Sequence, residues 1–79
     1  MLGNNEIKHM KKIISIDGMH CEHCSARVIR AFEGQGMKCS VSLESGTATV
    51  TGDAAKMSDG ALRDAVEALG FDVVNIREA

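Results

Sequence analysis

Apolar residues alternate with polar ones in three short stretches of this chain and recur at helical spacing in two longer ones. Lys12 to Asp17 reads as a strand with Ile14 and Ile16 on one face. Lys38 to Glu44 sets Cys39, Val41 and Leu43 against Lys38, Ser40 and Ser42, and Thr47 to Thr51 sets Ala48 and Val50 against three threonines. Ser45-Gly46 between them is a hairpin signal. Phe71 to Ile76 supplies a fourth strand. Glu22 to Glu33 brings Cys24, Val28, Ala31 and Phe32 onto one helical face, and Gly34 and Gly36 stop it. Gly52 to Met57 reads as a loop, followed by Ser58 as the N-cap of a second helix running to Leu69. That helix carries the stripe Leu62, Ala65, Val66 and Leu69, and Gly70 follows where a left-handed backbone is needed.

The order is βαββαβ, two βαβ halves joined by a hairpin. Right-handed crossovers place both helices on one face of a four-stranded antiparallel sheet, the α+β ferredoxin-like sandwich. Its other face is expected to be wet, with Ser15, Asp17, Thr47, Thr49 and Thr51 on it.

A chain of 79 residues makes one domain. Its only aromatic residues among Phe, Trp and Tyr are Phe32 and Phe71, so Val, Ile, Leu, Met and Ala must build the core. Residues 1–10 read as a flexible leader and 11–77 as the domain; Met10 is a second candidate for the natural start. The net charge of −2, without a basic block, leaves no footprint for nucleic acid. No stretch is apolar enough to insert in a membrane, and the polar N-terminus shows no secretory signal. Three cysteines, an odd count, argue against a disulfide framework and for a cytoplasmic setting.

The chemistry concentrates in Gly18-Met19-His20-Cys21-Glu22-His23-Cys24, between the first strand and the first helix. Two cysteines three positions apart can aim both sulfurs at one point when the first lies in a loop and the second opens a helix. The unpaired N–H groups at a helix N-terminus stabilise thiolates there. Such a pair is a soft-metal site or a redox site. Thiolates select Cu(I), zinc or iron–sulfur clusters. Structural zinc and clusters need four ligands, whereas Cu(I) accepts two. The redox alternative is a thioredoxin-like motif, but the chain has neither Pro nor Trp to stand beside the cysteines.

The Gly-Met-x-Cys-x-x-Cys loop after the first strand, the βαββαβ order and Leu69-Gly70-Phe71 after the second helix together resemble the heavy-metal-associated domain of copper chaperones and of the N-terminal modules of P-type metal ATPases. The resemblance covers about residues 11 to 76. It implies that Cys21 and Cys24 bind metal and that Met19 points into the core and shapes the loop. It places Phe71 beside the metal loop, at a position often occupied by Tyr in free bacterial chaperones, Lys in eukaryotic ones and Phe in ATPase modules.

His20 is the candidate auxiliary ligand, while His23, between the two cysteines, is expected to face away. Cys39 falls on the inward face of a strand and reads as a small buried hydrophobe. Met10, Met37 and Met57 form no cluster and read as packing residues, and His9 as a solvated one. Arg27 and Arg30, like Asp59, Arg63, Asp64 and Glu67 on the second helix, read as solvated charges or the rim of a docking surface.

The expected function is that of a copper chaperone. It would bind Cu(I) through Cys21 and Cys24 and hand it to the metal-binding domain of a copper-transporting P-type ATPase by ligand exchange, with no enzymatic activity. A metal-bridged homodimer with His20 at the junction is a further expectation. The alternatives are an N-terminal ATPase module, which Phe71 favours, a carrier of Zn(II), Cd or Hg, and a thiol–disulfide oxidoreductase.

Overall fold

The computed structural model describes residues 9–79. The elements follow in the order β1 (His9–Asp17), α1 (Glu22–Glu33), β2 (Lys38–Ser42), β3 (Thr47–Asp53), a 3₁₀ turn (Ala54–Lys56), α2 (Asp59–Glu67) and β4 (Asp72–Glu78). The four strands form one sheet in the order β2-β3-β1-β4, with every neighbouring pair antiparallel. This is the expected ferredoxin-like βαββαβ arrangement.

The alternation of β1 and β3 sends Ile14, Ile16, Ala48 and Val50 inward. There they meet Val28 and Phe32 of α1 and Leu62 and Val66 of α2. Met19, Met37 and Met57, all in connections, complete this core. With so few aromatics, three flexible methionines fill the gaps between the sheet and the helices. The Ser58 side chain accepts a hydrogen bond from the Ala61 amide at 3.2 Å and so caps α2 as its sequence foretold.

Several boundaries differ from expectation. β1 begins at His9, so His9 and Met10 are not leader: they pair with Asp53 and Gly52, and Met10 packs against the core. The rest of the expected leader lies outside the described residues. β3 continues through Gly52 and Asp53, which read as loop. A Cβ on Gly52 would lie 2.6 Å from Met37 Cγ, so here glycine makes room for a neighbouring side chain inside a strand. Asp53 then accepts from the Ala55 amide at 3.1 Å and starts the 3₁₀ turn.

β2 stops at Ser42, and Leu43 falls in the hairpin turn, exposed rather than inward. α2 ends at Glu67, two residues before the expected Leu69, with the positive-φ residue Gly70 turning the chain into β4. β4 starts at Asp72, leaving Phe71 in that turn. On the outer sheet face Ser15, Thr47, Thr49 and Thr51 are half-buried, while Asp17 is exposed.

Lys12 shares the inward face with Ile14 and Ile16. Its ammonium reaches Asp59 Oδ1 at 2.7 Å, in the first turn of α2. The lysine stem covers apolar surface and its charge meets a carboxylate at a helix N-terminus, where negative charge is favoured. Among the described residues no helix is long and apolar enough to cross a membrane.

Candidate metal centre

The loop that carries the chemistry begins at Gly18, whose φ of +93° turns the chain out of β1. Met19 follows and is 1% exposed, anchoring the loop in the core. His20 and Cys21 emerge at the surface. Cys21 is the N-cap of α1: its backbone is extended (φ −139°, ψ 165°) and its carbonyl accepts the first helical hydrogen bond, from the Ser25 amide at 3.1 Å. Its side chain makes no close capping bond of the kind a serine oxygen makes, but the sulfur lies near enough to the His23 and Cys24 amides to be stabilised by them. Cys24 lies in the first turn, half-buried and packed against the core.

This local geometry brings the sulfurs of Cys21 and Cys24 to 3.1 Å, a hydrogen-bonded thiol pair rather than a disulfide, whose sulfurs would be about 2.05 Å apart. The hydrogen bond with Cys24, then the helix-terminal amides of Cys24 and His23, hold the Cys21 thiol below its ordinary value. Cys24 is pushed above its ordinary value, because that same hydrogen bond favours its protonated form and partial burial disfavours its charge. Cys21 is therefore the readier of the two to form a thiolate.

One exposed and one half-buried sulfur at a helix N-terminus have the chemistry of a soft, low-coordinate donor set. Among the described residues no group of three or more His, Cys, Asp or Glu side chains is poised around a common point. His20 is exposed beside Cys21, and His23 is exposed in the first turn of α1. Cys39 lies elsewhere: it pairs with Val50, which pairs with Lys12, toward the end of β1 away from the loop. Burial, then the Glu33 carboxylate, push its thiol up to about 11.

Phe71 is half-buried beside the loop, with its ring edge 3.5 Å from where a Cβ on Gly18 would sit. The residue missed by the sequence pattern is Arg27. Rather than joining a wholly solvated face, its guanidinium lies over the Phe71 ring, 5.9 Å from the centroid, and donates to the Leu69 carbonyl at 3.3 Å. Its position one helical turn after Cys24 was the only signal available for it.

Comparison with known proteins agrees with this fold. The copper chaperone CopZ of Staphylococcus aureus is 35% identical over 66 residues, which are 81% of this chain and 97% of the relative. The solved structure of a CopZ metallochaperone superposes with a TM-score of 0.75 at 35% identity, covering 81% of this chain and 98% of that one. The yeast copper transporter domain CCC2A, solved in apo and Cu(I)-loaded states, gives a TM-score of 0.79 at 25% identity, over 89% of this chain and 99% of that one. Residues 13–72, from within β1 to the first residue of β4, match the heavy-metal-associated domain, and the chain belongs to that family.

Proposed function

We propose that this chain is a cytoplasmic copper chaperone. It binds Cu(I) between Cys21 and Cys24 and passes the ion to the metal-binding domain of a copper-transporting P-type ATPase. The observation that carries the reading is the exposed thiol pair, 3.1 Å apart at the N-terminus of α1. Its likeness to CopZ chaperones supports copper as the cargo.

The sulfurs lie closer together than they would on opposite sides of an ion, so loading draws them apart. Cys21, exposed and without a capping bond, is the freer of the two. Binding releases the thiol protons, since both ligands act as thiolates. For handover, an incoming thiolate of the partner attacks the ion while one sulfur of this chain leaves, and the second sulfur then follows. The ion passes from two sulfurs to two sulfurs with no change of oxidation state. No substrate bond is broken, so the protein is a carrier and not a catalyst.

The same openness admits a second copy of the chain, which would supply its own Cys21 and Cys24 and form a metal-bridged homodimer with His20 at the junction. Phe71 favours a second reading, an N-terminal module of a copper ATPase, by the residue type that the family resemblance assigns to such modules.

Anaerobic titration with Cu(I) against a competing chelator tests the reading. Cys21→Ser and Cys24→Ser should each abolish tight binding, while Cys39→Ser leaves it intact. Binding that survives Cys21→Ser, or is lost in Cys39→Ser, would overturn the site. Sedimentation of the same samples should show association only with Cu(I); a monomer at every copper ratio removes the bridged dimer.

A further inference from the structure

Arg27 joins three parts of the molecule that lie far apart in sequence. It stands on α1, three residues after Cys24 and therefore on a neighbouring part of the same helix face. Its guanidinium covers the Phe71 ring at 5.9 Å and donates to the Leu69 carbonyl at 3.3 Å. Leu69 and Phe71 flank Gly70, whose φ of +94° makes the turn between α2 and β4. Beyond Arg27, the Phe71 ring packs against Gly18, where an added Cβ would meet Cδ1 at 3.5 Å. Gly18 is the residue at which the metal loop leaves β1.

These contacts close a circuit. The loop runs from Gly18 through Cys21 into α1, α1 carries Cys24 and Arg27, and Arg27 clasps Phe71 back onto Gly18. The entrance of the loop is thus held to the helix that carries its second cysteine. Each contact alone is weak, because Arg27 is exposed and Phe71 only half-buried. Cation–π attraction orients the guanidinium on the ring, and the hydrogen bond to Leu69 fixes the turn on which Phe71 stands.

We propose that Arg27 is a positioning residue: it holds Phe71 against Gly18 and thereby keeps the loop closed around the ion carried by Cys21 and Cys24, slowing its loss. This rests on the proposed metal-binding function and adds to it a side chain that touches neither the ion nor the sulfurs.

The test compares wild type, Arg27→Ala, Arg27→Lys, Phe71→Leu and the Arg27→Ala/Phe71→Leu double variant. In metal-free protein, NMR reads the Gly18 α protons, which the Phe71 ring current displaces. Arg27→Ala should move them toward their position in Phe71→Leu, and Arg27→Lys, which keeps the cation, should move them back toward wild type. In Cu(I)-loaded protein, removal of copper by a chelator should be about two- to fivefold faster in Arg27→Ala, the factor an exposed cation–π contact supplies. It should be no faster in the double variant than in Phe71→Leu.

Unchanged Gly18 signals in Arg27→Ala would overturn the proposal. So would an effect of Arg27→Ala on copper removal that persists in full without the Phe71 ring. A wild-type protein that takes up no Cu(I) would instead overturn the proposed function. The Gly18 signals, read without metal, would still decide whether Arg27 positions the loop.

Discussion

Replacing one glycine of this chain by alanine should destabilise it, and replacing another should do the reverse, for reasons visible only in three dimensions. At Gly52, inside β3, a new Cβ would lie 2.6 Å from Met37 Cγ, 3.3 Å from Met37 Cβ and 3.5 Å from Met57 Sδ. Met37 and Met57 are both core residues, and the close atoms of Met37 belong to the base of its side chain rather than its mobile end. The neighbours must therefore shift, at an overpacking cost of about 1–3 kcal/mol. Restricting the unfolded chain returns about 0.4–1 kcal/mol, which leaves a net loss of up to about 2.6 kcal/mol, centred on ~1.3 kcal/mol. At about 4–8 °C per kcal/mol for a domain of this size, that central loss should lower the melting midpoint of Gly52→Ala by about 5–10 °C.

Gly60, in the first turn of α2, has nothing within 4 Å of its added Cβ and no positive φ. There the helix gains up to about 1 kcal/mol from alanine, and the midpoint should rise. The pair is measured by thermal unfolding of metal-free protein followed by circular dichroism. Gly52 pairs with Met10, seven residues along β1 from Asp17 and roughly 23 Å from the metal loop at about 3.3 Å per residue. Cu(I) affinity below the transition should thus stay within about twofold of wild type, as for distant independent sites. A Gly52→Ala protein melting at or above wild type would refute the packing argument.

Two further predictions concern the thiols. Burial raises Cys39 to about 11 from an ordinary 9.0, so between those values the unfolded chain has lost a proton that the folded chain keeps. Stability must then fall as pH rises through that window. Denaturant midpoints should drop more steeply from pH 8 to pH 11 in wild type than in Cys39→Ala, and equal slopes would contradict the assignment. Cys21, exposed and lowered by its hydrogen bond with Cys24, should be the first sulfur alkylated by substoichiometric iodoacetamide in reduced, metal-free protein near neutral pH. Peptide mapping that finds Cys39 modified as fast would refute that order.

Local rules carry a sequence a long way when the local signals agree. The stripes Val28/Phe32 and Leu62/Val66, the alternation around Ile14 and Val50, the Ser45-Gly46 turn and the Ser58 cap each depend on residues within a few positions of one another. Together they determine the βαββαβ order and place a Cys-x-x-Cys pair at the mouth of α1. The burial of Met19 followed from the family resemblance rather than from periodicity, because a single loop residue has no period.

Tertiary structure decided whatever depends on partners distant in sequence. Strand ends are set by pairing: His9 and Met10 become strand because Asp53 and Gly52 stand opposite, and Leu43 leaves the sheet because the ladder stops at Ser42. Lys12 faces inward because Asp59, 47 residues away, receives its charge. Arg27, though exposed, is oriented by Phe71 and the Leu69 carbonyl, which offer it a ring and an acceptor. The unequal acidity of the two thiols likewise needed the 3.1 Å between the sulfurs, since spacing in sequence names the two donors but not how they act on each other. Periodicity and capping act through the nearest turns of the chain, so the sequence alone determined the elements and the donor atoms. Ion pairs, ring contacts and strand register act through space, so only the folded chain determined how those donors are held.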